Sequence, residues 1–104
     1  MSVSKSHEKL EVAELITNKE LKQIDKKYFH IIQASGFAIY LQSKNTKHFW
    51  GITLAEYPTF RNFQIYHKHN QHDAYHRHKD APTVSAAIER IVGHDKFQMN
   101  DRRK

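Results

Sequence analysis

Hydrophobic residues recur with the period of an α-helix in the first third of the chain. One such stretch covers residues 6–16 and predicts a short amphipathic helix. A second covers residues 18–34, and Thr17 followed by Glu20 has the spacing of a capping box at its start. Gly36 then follows at a position where helices commonly end in a left-handed residue. The pattern therefore predicts two consecutive helices before any strand.

The period changes to two residues after Gly36. Residues 37–42 and 48–54 both alternate between apolar and other side chains, which is typical of strands. The polar segment 43–47 between them predicts an antiparallel hairpin. A third alternating stretch covers residues 62–68. We therefore expect three consecutive strands.

Residues 70–81 are polar and lack a regular period, so we expect a loop. Pro82 then fits the first position of a final helix, where its missing N–H would have no partner in any case. The apolar stripe of this helix comprises Val84, Ala87, Ile88, Ile91 and Val92. The resulting order, α-α-β-β-β-α, predicts an α+β fold in which helices pack on one face of a three-stranded antiparallel sheet. We assign residues 1–104 to a single domain with frayed ends at 1–5 and 99–104.

The composition narrows the classes of protein to consider. The 104 residues include no cysteine, which excludes disulfides and thiolate metal sites and favours a cytoplasmic location. The N-terminal residues have no apolar core of a signal peptide, and no apolar run is long enough to span a membrane. We therefore expect no membrane association.

The charge balance points to a polyanionic partner. The formal net charge is +6, and Lys68, Arg77 and Lys79 lie among the histidines of the second half together with Tyr66 and Tyr75. Basic side chains contact phosphates and aromatic rings stack on unpaired bases, so DNA or RNA is the predicted partner. The predicted nucleic-acid-binding residues are Lys44, Lys47, Arg61, Lys68, His69, Tyr75, His76, Arg77, His78 and Lys79.

Five histidines between His67 and His78 are the most unusual chemical feature. His67 and His69 would lie on one face of a strand and could ligate zinc, copper or nickel, but the spacing matches no recognised zinc motif. We therefore predict no metal and no cofactor. Histidine can also act as a general acid or base, and His48 and His76 join the same two histidines as candidates for metal-free RNA cleavage. A polar loop without a specific role is the remaining interpretation.

Three aromatic residues suggest a second possible surface. Tyr40, Phe49 and Tyr66 are expected on the sheet face opposite the predicted core, where they would offer a platform for bases, for a protein partner or for a homodimer. Cover by the first helix is the competing explanation. From Leu21 onward the α-β-β-β-α order resembles double-stranded-RNA-binding domains and small HicA-type messenger-RNA-cleaving toxins, which implies RNA binding or metal-independent RNA cleavage.

Overall fold

The computed structural model describes residues 15–55 and 62–103. A short helix precedes an antiparallel sheet of five strands, and a long helix ends the chain. The elements are α1 Asn18–Lys22, β1 Phe29–Ala34, β2 Ala38–Ser43, β3 Phe49–Leu54, β4 Phe63–Lys68, β5 His76–Arg77 and α2 Val84–Arg103. The strands lie side by side in chain order. In the described part of the chain, no helix is both long and apolar enough to cross a bilayer.

The predicted helix over 18–34 starts correctly but ends early. The capping box is present, because the Glu20 N–H donates to Thr17 Oγ1 and the Glu20 carboxylate accepts from the Thr17 N–H. The chain leaves the helix after Lys22 and turns at Asp25, whose side chain accepts from the Lys27 N–H. The aromatic and β-branched residues that follow favour a strand, so residues 29–34 pair with β2 instead of continuing the helix.

The α+β class is confirmed, but the predicted number of strands and order of helices are wrong. The three predicted strands correspond to β2, β3 and β4, while β1 was assigned to a helix and β5 to a loop. The predicted helix over 6–16 lies outside the described residues except for Leu15 and Ile16, which are not helical. The α-β-β-β-α order that underlies the resemblance to RNA-binding domains and HicA-type toxins is therefore not the order of this sheet.

One face of the sheet is covered by α2. Val84, Ala87 and Ile91 are buried on the helix and pack with buried apolar residues of the strands. The helix begins one residue after Thr83, whose hydroxyl accepts from the Ala86 N–H, so Thr83 caps the helix. Pro82 consequently precedes the cap and is not the first helical residue. We call the covered side the core face and the opposite side the open face.

Candidate functional site

Strand alternation divides the predicted nucleic-acid-binding residues between the two faces. Successive side chains of a strand point to opposite sides, and His67 is paired with His76 while Tyr66 is paired with Arg77. His67 and His76 therefore share the core face, and Tyr66, Lys68 and Arg77 lie on the open face. The histidine-rich stretch between His67 and His78 therefore contributes to two chemically different surfaces.

A histidine cluster lies on the core face at one end of the sheet. It contains His48, His67, His69, His76, His78 and His94. The ring centroids of the other five lie 5.0 to 6.2 Å from that of His67. The cluster thus collects six of the nine histidines of the chain around one buried ring.

His48 and His67 form the buried centre of the cluster. Their side chains are 3% and 2% exposed, and His48 Nδ1 lies 3.0 Å from His67 Nε2, so one ring nitrogen donates a hydrogen bond to the other. The Trp50 ring stacks on His67 with centroids 4.1 Å apart. Burial is the main cause that lowers the pKa of His67 to about 3, and the positive charge that His48 and the other neighbouring histidines can carry contributes to the same shift. His67 is therefore neutral at physiological pH.

His69 completes a group of three. Its ring stacks on His48 with centroids 4.1 Å apart, and one ring nitrogen from each of His48, His67 and His69 lies within 4.8 Å of the other two. His69 is exposed to solvent while the other two rings are buried. Three imidazoles that converge in this way can hold a transition-metal ion.

Two members of the cluster lie outside the histidine-rich stretch and are contributed by other elements. His48 was considered only for catalysis, and His94 on α2 was not singled out. A sequence signal existed for His48, because the alternation that places Trp50 and Ile52 on the core face places His48 there too. His94 follows Ile91 by three residues on the helical stripe, but its proximity to β4 depends on how α2 packs.

A buried carboxylate fixes the turn that carries His48. Asp95 on α2 is fully buried and accepts hydrogen bonds from the hydroxyl groups of Tyr28, Ser43 and Thr46. Thr46 Oγ1 also accepts from the backbone N–H of His48 at 3.1 Å. Burial is the main cause that raises the pKa of Tyr28 to about 12, so this hydroxyl keeps its proton and remains a donor. The carboxylate thereby connects α2, the β2–β3 turn and the backbone of the cluster.

Polar atoms without partners mark the inner side of the cluster. Among the described residues, Trp50 Nε1 and His78 Nδ1 are buried and form no hydrogen bond. The rings of Trp50, His78 and His94 meet edge to face, with centroids 5.0 to 5.7 Å apart. Desolvation by burial is the main cause that lowers the pKa of His78, and the charge that His94 can carry acts in the same direction. This end of the core is thus lined by ring nitrogen groups and not only by apolar side chains.

The open face has a different chemistry, dominated by aromatic rings around one ammonium group. Lys68 Nζ lies 4.5 Å from the ring centroid of Tyr75 and 5.4 Å from that of Phe49. Tyr40 and Tyr75 have centroids 6.1 Å apart, and Tyr66 lies on the same face through its position in β4. All four rings are half-buried, so each keeps part of its surface accessible to solvent.

The strands themselves contribute no carboxylate to this face. None of the five strands of the described sheet contains an aspartate or a glutamate. Gln33, Gln42 and Gln64 lie on the open face, where they supply amide donors and acceptors around the rings. The nearest ion pair involves Arg77, whose guanidinium donates to both oxygens of Asp80 at 2.8 and 2.9 Å. Arg77 is therefore largely neutralised by its own neighbour.

The remaining predicted contact residues lie at the edges or outside the described residues. Lys44 and Lys47 are exposed in the β2–β3 turn, where Lys44 Nζ donates to the carbonyl oxygen of Lys26 at 2.8 Å. Lys79 is exposed between β5 and α2. Arg61 lies outside the described residues. Among the predicted residues that the structure describes, Lys68 and Tyr75 contact each other on the open face.

The histidine cluster and the open face are the two surfaces on which a functional interpretation can be based. No protein family, curated protein or solved structure matches the chain.

Proposed function

We propose that the protein binds single-stranded nucleic acid on the open face of its sheet. The observation that carries the proposal is a group of four half-buried aromatic rings, two of which lie against the Lys68 ammonium group, on a sheet face whose strands contain no carboxylate. Base rings stack on aromatic side chains, and each such contact contributes about 1–3 kcal/mol. A net charge of +6 adds long-range attraction for a polyanion.

A single strand fits this face better than a duplex. The faces of paired bases are stacked inside a double helix, so aromatic side chains on a sheet cannot reach them. The four rings occupy β2, β3, β4 and the approach to β5, which gives a surface several strands wide. Glutamine amides beside the rings provide donors and acceptors for base edges.

The phosphates of a bound strand would be contacted by basic residues around the rings. Lys68 lies within the aromatic group, and Lys79 is exposed at the neighbouring edge. Lys44 and Lys47 lie in the β2–β3 turn, at the end of the sheet where β3 pairs with the last residue of β4. A chain without cysteine suits a reducing compartment, so we propose the cytoplasm as the location.

Fluorescence anisotropy with a labelled uridine-rich 12-nucleotide RNA tests this function. We expect binding that weakens with salt at a log–log slope of about −2 to −3, which corresponds to roughly three or four phosphate contacts on a single strand. Tyr75→Leu removes one stacking ring and should weaken binding about fivefold or more. Lys68→Gln should weaken binding and reduce the salt slope, whereas Lys19→Gln, an equal charge change on α1, should have much less effect.

Three outcomes would contradict the proposal. The first is the absence of RNA binding at low salt, and the second is equal weakening by Lys68→Gln and Lys19→Gln. The third is a concentration-dependent dimer in sedimentation analysis that Tyr75→Leu dissociates, because this would make the open face a protein interface. Recovery of cleaved RNA in the presence of a chelator would instead favour a metal-independent ribonuclease.

A further inference from the structure

We propose that His48, His67 and His69 form a binding site for a divalent transition-metal ion such as Zn²⁺, Cu²⁺ or Ni²⁺. The site lies on the core face and uses none of the aromatic residues of the open face. It is therefore independent of nucleic-acid binding, and each proposal can fail without the other.

The spacing of the ring nitrogens fits direct coordination. A tetrahedral ion with metal–nitrogen bonds of about 2.0–2.1 Å holds its ligand nitrogens roughly 3.3 Å apart. His48 Nδ1 and His67 Nε2 are 3.0 Å apart, so the buried pair has nearly the required separation. All three donor nitrogens lie within 4.8 Å of one another, and His69 needs the smallest change in its surroundings to close in because it is exposed.

The proton of the buried pair can be accommodated without a charged intermediate. In the hydrogen bond between His48 and His67, one of the two facing nitrogens carries the proton. Coordination of both nitrogens requires that this proton move to the other nitrogen of the same ring, which leaves both imidazoles neutral. A metal would thus replace one shared hydrogen bond with two coordinate bonds.

The surroundings favour nitrogen-preferring metals over Mg²⁺ or Ca²⁺. Imidazole suits zinc, copper and nickel, whereas the two alkaline-earth ions require oxygen ligands. Asp95, the buried carboxylate nearest in sequence to the cluster, has its oxygens occupied by hydroxyl donors. Three protein ligands leave at least one coordination position, which water can reach on the exposed side of His69.

Neighbouring groups support the three ligands. Thr46 accepts from the His48 backbone N–H and donates to Asp95, which fixes the start of β3. The Trp50 ring stacks on His67 and restricts its orientation. Constraints of this kind hold ligand rings in place before the metal arrives.

The test is a titration of the full chain, prepared without a polyhistidine tag, with Zn²⁺ and Cu²⁺. We expect one Zn²⁺ per chain by calorimetry, and we expect Cu²⁺ to quench the fluorescence of Trp50, the only tryptophan, at the same stoichiometry. His69→Ala should weaken Zn²⁺ binding at least about tenfold. His72→Ala is the matched control, because His72 is exposed in the same stretch but lies outside the cluster, and binding should be unchanged.

Thermal unfolding in chelator checks that His69→Ala is folded, so weak binding by this variant cannot be ascribed to unfolding. Equal weakening by His69→Ala and His72→Ala would indicate diffuse chelation by surface histidines and overturn the proposal. Failure of the wild-type chain to bind Zn²⁺ or Cu²⁺, or full quenching of Trp50 in His69→Ala at the wild-type affinity, would also overturn it.

Discussion

Removal of the Asp95 carboxylate is expected to be among the most damaging single changes in the chain. Asp95→Ala leaves the hydroxyl groups of Tyr28, Ser43 and Thr46 without their acceptor. Ser43 is 0% and Thr46 4% exposed, so water cannot easily replace the lost carboxylate at these two groups. The variant therefore separates the energetic contribution of this network from that of the surrounding apolar core.

The size of the effect follows from the number of hydrogen bonds to the charged group. A hydrogen bond to a charged group contributes about 1.5–3 kcal/mol, and a buried group left unsatisfied costs about 1–3 kcal/mol. Asp95→Ala also removes the free-energy cost of burying a carboxylate, which offsets part of this loss. The net destabilisation is therefore about 3–5 kcal/mol. Domains of this size have a total stability of about 5–15 kcal/mol, so roughly a fifth or more would be lost.

Urea unfolding followed by Trp50 fluorescence measures this loss as a lower midpoint at unchanged slope. Glu89→Ala is the control, because Glu89 is exposed on the same helix and its removal should change stability by less than about 0.5 kcal/mol. Asp95→Asn keeps the shape and one acceptor oxygen and should fall between the two variants. A loss below about 1 kcal/mol for Asp95→Ala would refute the assigned role of the network.

Two further predictions concern the two faces of the sheet. The pKa of His67 is about 3 when folded and about 6.5 when unfolded, so only the unfolded chain takes up this proton as the pH falls from 6.5 to 3. The His67 proton alone should lower the stability of the metal-free protein by up to about 1.4 kcal/mol per pH unit below pH 6.5, and His67→Phe should make the profile less steep; equal wild-type stability at pH 7 and pH 5 would contradict it. On the open face, a Cβ at Gly51 would lie 3.1 Å from Tyr40 Cε1, so Gly51→Ala must tilt this half-buried ring. We expect weaker RNA binding with a stability change below about 1 kcal/mol, and unchanged affinity would exclude Tyr40 from the site.

The extent to which the fold could be predicted from the sequence differed between its elements. Thr17 and Glu20 marked a helix start correctly because a capping box is a local feature. The end of that helix was missed because Ile24, Tyr28 and Ile31 fit both a helical stripe and the approach to a buried strand. Pairing with β2, which is a tertiary contact, decides between the two. The two-residue strand β5 is too short to produce an alternating pattern at all.

The candidate sites were less predictable than the strands because both depend on contacts between elements. The histidine-rich stretch was visible, but its metal-binding potential comes from His48, 19 residues before His67 and brought beside it by the pairing of β3 with β4. Similarly, Lys68 and Tyr75 meet because the chain turns back between β4 and β5. Register and alternation, rather than composition, determine which basic residues reach the open face.

The central claim is that the open face contacts single-stranded nucleic acid. Backbone amide chemical shifts of the isotope-labelled protein, recorded during titration with the uridine-rich 12-nucleotide RNA, test it most directly. We predict progressive shifts around Tyr40, Phe49, Tyr66 and Tyr75, with little change for the residues of α2 that pack on the core face. Shifts confined to α2 and the histidine cluster, or no shifts at all, would contradict the account.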